Sequence, residues 1–416
     1  MKKVYCTVLS LMIPFLGFSK SGLDEEKKAK TTETSKIEEV KEEGEEGKGS
    51  FAFSGYLDSY YMANFNKPAS RSNLGQANAR VFDIKSGQFS LGLVQAKAVY
   101  TNSKSEAVVD LTFGPNADLG NYGNLLSPLN SSKTGTALAI KQAYFTYKFT
   151  DKFSMTAGQF GTHIGYEVID APANFNYSLS NLFNNGPFYH MGVKATYAFT
   201  DKVSLMAGVV NNVDGLGDNN RKKGIISQLF ISPVTGWNVY LNFINSNEAN
   251  PGSDGDSPKA HYRVFDVTSS YQVTPKFLVG VNAALGSQKG DYQGAGGPDN
   301  SKSWGGAAIY SNVAITDNFA IGARYEYFDN DNGVRALLAY PNGKLDGATG
   351  IGTHVNSVTL TGNIGLADGH ILIKPEFRLD AYPKASGTKE QQFEDSDGNF
   401  TKSSQTTFGI AFIYKF

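Results

Sequence analysis

Cysteine is almost absent from this chain. The one thiol, Cys6, lies in an N-terminal stretch that reads as a leader, so neither a disulfide framework nor a thiolate metal site is available to the rest. A charge imbalance is also missing. The formal net charge is −1, which excludes a field of the size that nucleic acid demands, and no nucleic-acid partner is expected. Long apolar runs are missing as well: nothing approaches the roughly 18 consecutive apolar residues of a membrane-spanning helix. Such a chain stays in a membrane only as a closed barrel, because helices and closed barrels alone satisfy every backbone polar group in lipid.

What is present points to β structure. There are 45 Gly, 28 Phe and 22 Tyr, with charged residues at only 19%. The 416 residues are enough for several ordinary domains or for one large barrel. Lys2 and Lys3 precede an apolar stretch from Val4 to Phe18, and Gly17 and Ser19 are small residues at a peptidase spacing. Residues 1–19 therefore read as a signal peptide. Cys6 comes too early in it for a lipoprotein cleavage site. Residues 20–50 are dominated by Glu, Lys and Thr without an aromatic. They cannot bury a core and read as a disordered, charged periplasmic spacer, or alternatively as an arm for peptidoglycan or a partner.

From Phe51 onward the pattern has period two. In Phe408 to Phe416 the even positions are large and apolar and the odd ones mostly small or polar. In Ile371 to Ala381, the odd residues Ile371, Ile373, Pro375, Phe377 and Leu379 back the charged Lys374, Glu376, Arg378 and Asp380. Phe319 to Tyr327 places Phe319, Ile321, Tyr325 and Tyr327 on one face and Arg324 and Glu326 on the other. Short turns recur as Thr150-Asp151-Lys152-Phe153, Thr200-Asp201-Lys202-Val203, Thr274-Pro275-Lys276-Phe277 and Thr316-Asp317-Asn318-Phe319. Longer Gly-, Asn-, Pro- and Ser-rich segments alternate with them. The spacing predicts an all-β fold: a transmembrane antiparallel β-barrel of about sixteen strands over 51–416, with short periplasmic turns and long extracellular loops. One strand is predicted over 82–101.

Several segments then resemble the OmpL-like porin family, the β-barrel porin-2 group of Gram-negative outer membranes. They are Phe53-Ser54-Gly55-Tyr56-Leu57-Asp58-Ser59-Tyr60-Tyr61 with Asn64-Phe65-Asn66, then Gly158 to Glu167, and Asn174 to Ser178 through Asn185 to His190. Arg324 to Asp329 and Pro375 to Asp380 complete the resemblance, which covers roughly 52 to 416. It implies an outer-membrane pore and names no solute.

Catalysis is not expected. The five histidines, His163, His190, His261, His354 and His370, have no spacing that forces a nucleophile or an acid against them. Asp254-Gly255-Asp256 and Asp395-Ser396-Asp397-Gly398 read as solvated loops rather than calcium sites, so no metal or cofactor is expected. What remains is passage. By strand parity the lumen candidates are Asp58, Asp110, Arg324, Glu326, Lys374, Glu376, Arg378 and Asp380. Residues 163–187 form the third long loop and are too apolar for a segment held in water. By analogy with sixteen-stranded porins, this loop is expected to fold into the barrel, bringing Glu167 and Asp170 against basic wall groups such as Arg324, Lys374 or Arg378. Phe416 ends the terminal aromatic strand and is the expected assembly signal. The expected partners are outer-membrane lipid and lipopolysaccharide, the barrel assembly machinery and small hydrophilic solutes, with a homo-oligomer left open. The alternative function is an adhesin or receptor that acts through its outer loops.

Overall fold

The computed structural model describes residues 49–75, 80–121, 139–218, 220–248, 259–290, 297–335, 353–384 and 391–416. The leader and the charged spacer expected at the N-terminus lie outside these residues, apart from the spacer's last two.

Sixteen antiparallel strands close on themselves, each paired with its neighbours in sequence and β1 paired with β16. They are β1 (Ser50–Asn64), β2 (Phe89–Thr101), β3 (Ser105–Phe113), β4 (Ile140–Lys148), β5 (Phe153–Gly161), β6 (Tyr189–Ala198), β7 (Val203–Val210) and β8 (Gly224–Ile231). The second half comprises β9 (Trp237–Ser246), β10 (His261–Thr274), β11 (Phe277–Gly290), β12 (Gly297–Thr316), β13 (Phe319–Asn330), β14 (Thr353–Leu366), β15 (Ile371–Ala381) and β16 (Ser404–Lys415). No described helix is long and apolar enough to cross a membrane. Closure is what lets these strands cross instead, because it leaves no edge with unpaired backbone groups.

The period-two pattern becomes two faces. On β13, Arg324, Glu326 and Phe328 are buried inward while Tyr325 and Tyr327 are exposed outward. On β16, Phe408, Phe412 and Tyr414 point out, and Thr407, Gly409, Ala411 and Ile413 point in. Phe89 is 78% exposed and Leu285 71% exposed. A continuous apolar exterior of this kind belongs in lipid, since in water it would drive aggregation. Aromatics cluster beside the short turns, where Tyr147 meets Phe149 and Tyr197 meets Phe199 edge to face.

The recurring Thr has a clear task. Thr150 Oγ1 accepts from Lys152 N and Phe153 N, at 3.2 and 3.0 Å. Thr200, Thr274 and Thr316 each accept from the backbone N–H two residues on. The hydroxyl satisfies turn amides that no strand partner reaches.

One boundary differs from the expectation. The strand predicted over 82–101 begins only at Phe89. Arg80, Val81, Phe82 and Asp83 belong to the first loop and are buried inside the barrel mouth. Arg80 and Asp83 pair across one turn of irregular chain, a spacing that an extended strand would send to opposite faces.

The seam between β1 and β16 runs to the last residue. Phe416 N donates to Gly55 O and Gly55 N to Phe416 O, both at 3.0 Å, and the Phe416 ring lies 6.0 Å from that of Phe53. Removing Phe416 deletes these bonds and the aromatic end of the closing strand. The expected outcome is a marked loss of heat-modifiable barrel in outer-membrane fractions, read by gel mobility with and without boiling. Undiminished levels would show that closure does not need this residue.

Candidate functional site

The third loop, residues 162–188, connects β5 to β6 and lies within the barrel. Ile164, Tyr166, Tyr177, Leu179 and Leu182 are all buried, which explains why so many apolar residues occur in a loop. Tyr166 stacks on Tyr310 of β12 with ring centroids 4.4 Å apart, and Ile164 packs among Phe160, Met206, Val210, Ile226 and Ile244. Ile169 and Leu179 meet Val81 and Phe82 of the first loop, so the two loops share one core.

The polar wall of β13 to β15 grips the loop by its backbone. Glu326 accepts from Asn181 N and Leu182 N, both at 2.8 Å, at the start of the short helix α1 (Asn181–Asn185). Glu376 accepts from Tyr177 N at 2.6 Å and Ser178 N at 3.0 Å. Cations take the carbonyls in turn. Lys374 Nζ donates to Ala171 O at 2.9 Å and Asn174 O at 2.6 Å, Arg324 donates to Ser178 O at 2.8 Å, and Arg378 to Leu179 O at 2.8 Å. Arg324 also forms an ion pair with Glu167, whose carboxylate accepts from Ser180 N at 2.7 Å. A loop backbone taken out of water must have its N–H and C=O groups met, and here charged side chains meet them.

Parity placed Asp58, Asp110, Arg324, Glu326, Lys374, Glu376, Arg378 and Asp380 on the inner face, and all eight are there. They do not form the water-washed wall expected of them. Each is at most 2% exposed, because the loops cover the wall or the side chains pack against one another. Asp58 accepts from Tyr177 OH at 2.9 Å, and Asp380 from Arg378 Nε at 2.8 Å and Arg80 at 3.1 Å.

The two loop carboxylates part company. Glu167 meets Arg324 as expected. Asp170 does not face the basic groups of β13 or β15. It pairs with Lys141 on the opposite wall and accepts from Gln95 Nε2 at 3.0 Å and Tyr56 OH at 3.3 Å. Asp110 joins the same cluster through Lys141 at 3.3 Å and Gln95 at 2.9 Å. Lys141 escaped the sequence reading because of a bulge. The β3–β4 register runs from Asp110↔Gln142 to Leu111↔Ile140, so Lys141 is an extra residue that parity cannot place.

Arg80 and Asp83 were also missed, since they were read as loop end and strand. Arg80 is fully buried, pairs with Asp83 and Asp380, and donates to Thr407 Oγ1 at 3.2 Å. Burial alone would raise the Asp83 carboxyl, but the Arg80 guanidinium overrides it and holds that group below the ordinary carboxylate range. The stabilisation is therefore complete above the ordinary carboxylate pKa and is lost only as pH falls through the depressed value.

A closed barrel of sixteen strands with an apolar exterior, a polar inner wall and a third loop within it is the architecture of outer-membrane porins. The chain is a multi-pass β-barrel of the outer membrane. It belongs to the family described as "Putative beta-barrel porin-2, OmpL-like", whose model matches residues 50–416. Among solved structures it resembles the outer membrane channel DcaP of Acinetobacter baumannii, at 11% identity over 89% of this chain and 99% of that one, with a TM-score of 0.56. It also resembles Pseudomonas putida OprB, at 12% identity over 88% and 94% with a TM-score of 0.54. The anion-selective porin from Comamonas acidovorans matches at 10% identity over 89% and 100%, with a TM-score of 0.53. At these identities the likeness is one of fold. Comparison with curated protein sequences finds no match.

Arg324→Ala removes the partner of Glu167 and a donor to Ser178 O. Breaking a buried pair from one side costs on the order of 3–5 kcal/mol. The expected outcome is a lower thermal transition of the purified barrel and faster proteolysis of the third loop. Arg324→Ala combined with Glu167→Ala should recover part of the loss, because no buried charge is then left unpaired. Equal losses in the single and double variants would show that the pair does not hold the loop.

Proposed function

We propose that this porin is a passive diffusion channel for small hydrophilic solutes or ions, and that the third loop is its constriction. The observation that carries the proposal is the capture of the loop backbone by Glu326, Glu376, Lys374, Arg324 and Arg378. A segment anchored at so many points has a fixed outline, and a fixed outline inside a wide barrel sets a size limit. The inward packing of the first and third loops also supports a pore over an adhesin or receptor, whose binding surface would lie on loops that reach outward. Embedding in outer-membrane lipid and lipopolysaccharide, delivery by the barrel assembly machinery and assembly into a homo-oligomer belong to the same proposal.

In this reading the lumen charges act as a set. Both loop carboxylates are paired, Glu167 with Arg324 and Asp170 with Lys141, but the Glu167 side chain is 3% exposed and that of Asp170 23%. Asp170 is therefore the loop carboxylate that solute ions feel.

The test is single-channel conductance in planar bilayers. Shortening residues 166–182 should raise conductance. Asp170→Asn should move the reversal potential in a KCl gradient toward anions, and more than Glu167→Gln does. Unchanged conductance in the shortened variant, together with an unmoved reversal potential in Asp170→Asn, would sink the constriction while leaving the barrel intact.

A further inference from the structure

Five consecutive strands of the barrel wall are almost without charge. The residues of β5, β6, β7, β8 and β9 include no Asp, Glu or Arg, and Lys194, midway along β6, is their one Lys. Lys194 shares the inner face with His190, Gly192 and Thr196, while Val193 and Tyr197 on the opposite face are exposed outward. Its neighbours across the strands are Thr156 on β5 and Gly208 on β7. The side chain stays inside the barrel, with Nζ 4.3 Å from the centre of the Phe160 ring.

Other lumen charges are engaged. Lys141 has Asp110 and Asp170, Arg324 has Glu167, and Arg80 and Arg378 share Asp380. Asp266 on β10 accepts from Gly165 N, Asn242 and Asn282. No carboxylate among the described residues forms an ion pair with Lys194. The wall beside it is thinned by glycine. Gly158, Gly192 and Gly208 lie on the inner faces of β5, β6 and β7, with Gly158 directly opposite Gly192. Close strand pairing asks for glycine here, since a Cβ at Gly192 would come within 2.2 Å of Val209 O. The consequence for the lumen is a small glycine patch with an ammonium beside it, bordered by Thr156, Phe160 and Val210.

An ammonium held in a nearly neutral wall, with no carboxylate partner among the described residues, attracts anions. We propose that Lys194 is an anion-binding station on the conduction path, one that takes small inorganic anions or the carboxylate of a solute. This rests on the channel reading above. Phe160 holds the ammonium by its ring face and leaves the N–H donors for a passing anion.

The experiment is reversal-potential measurement on the full-length porin in KCl and in potassium acetate gradients. Lys194→Gln should lower the anion-to-cation permeability ratio by at least about twofold, as removal of one unscreened lumen charge requires. Lys194→Arg should keep the wild-type ratio. A fall in KCl alone would assign the station to small inorganic anions, and a fall in both salts to carboxylates as well. Lys194→Cys guards against misfolding. The chain's single native cysteine is Cys6, so one lumen thiol can be modified in the assembled channel. A cationic methanethiosulfonate should restore anion preference and an anionic one should reverse it. An unchanged ratio in Lys194→Gln with normal conductance, or no response to either reagent, overturns the station alone. Absence of any current from the wild-type protein overturns the channel reading and the station with it.

Discussion

The structure depends on how a loop backbone survives inside a barrel. A segment brought away from bulk water must have its amides and carbonyls satisfied, and the third loop has little regular structure to do this internally. The wall does it instead. Glu326 and Glu376 each take two consecutive N–H groups, while Lys374, Arg324 and Arg378 take carbonyls. Because these contacts read backbone rather than side chain, β13 and β15 hold the stretch from Ala171 to Leu182 whatever side chains it carries. Each carboxylate lost from the wall would strand two donors, and each cation lost would strand one acceptor or more.

Lipid imposes a second constraint. Outward positions must be apolar, so polar chemistry is confined to alternate residues, and period two divides every strand between membrane and lumen. The inner face is divided again. From β13 round to β4 it is charged and carries the loop contacts, and from β5 to β9 it is nearly neutral apart from Lys194. This asymmetry places most of the loop's charged anchors on one side of the lumen, and its apolar contacts around Ile164 and a lone ammonium on the other.

Much of this was legible in the sequence, because period two carries the information. Strand count, the inward placement of Arg324, Glu326, Lys374, Glu376, Arg378 and Asp380, and the third loop's apolar content all follow from it. The misses have local causes. A bulge turned Lys141 inward against parity. Arg80 and Asp83 looked like the lead-in to β2, but they fold under the mouth and pair with each other. The partner of Asp170 was misjudged because sequence alone cannot say on which wall a loop comes to rest. Period two also cannot distinguish a side chain facing water from one facing a folded-in loop, so the wall charges were taken for open lining.

The most direct measurement of the central claim is a cross-link between loop and wall. Asn176 Nδ2 donates to Thr361 Oγ1 at 2.7 Å, joining the third loop to β14. With Asn176→Cys and Thr361→Cys in the intact protein, oxidation in outer membranes should give a faster-migrating, reductant-sensitive band, and the cross-linked channel should conduct as the reduced one does. Failure to cross-link in a correctly assembled barrel, or a cross-link that abolishes the current, would contradict a third loop fixed within the lumen.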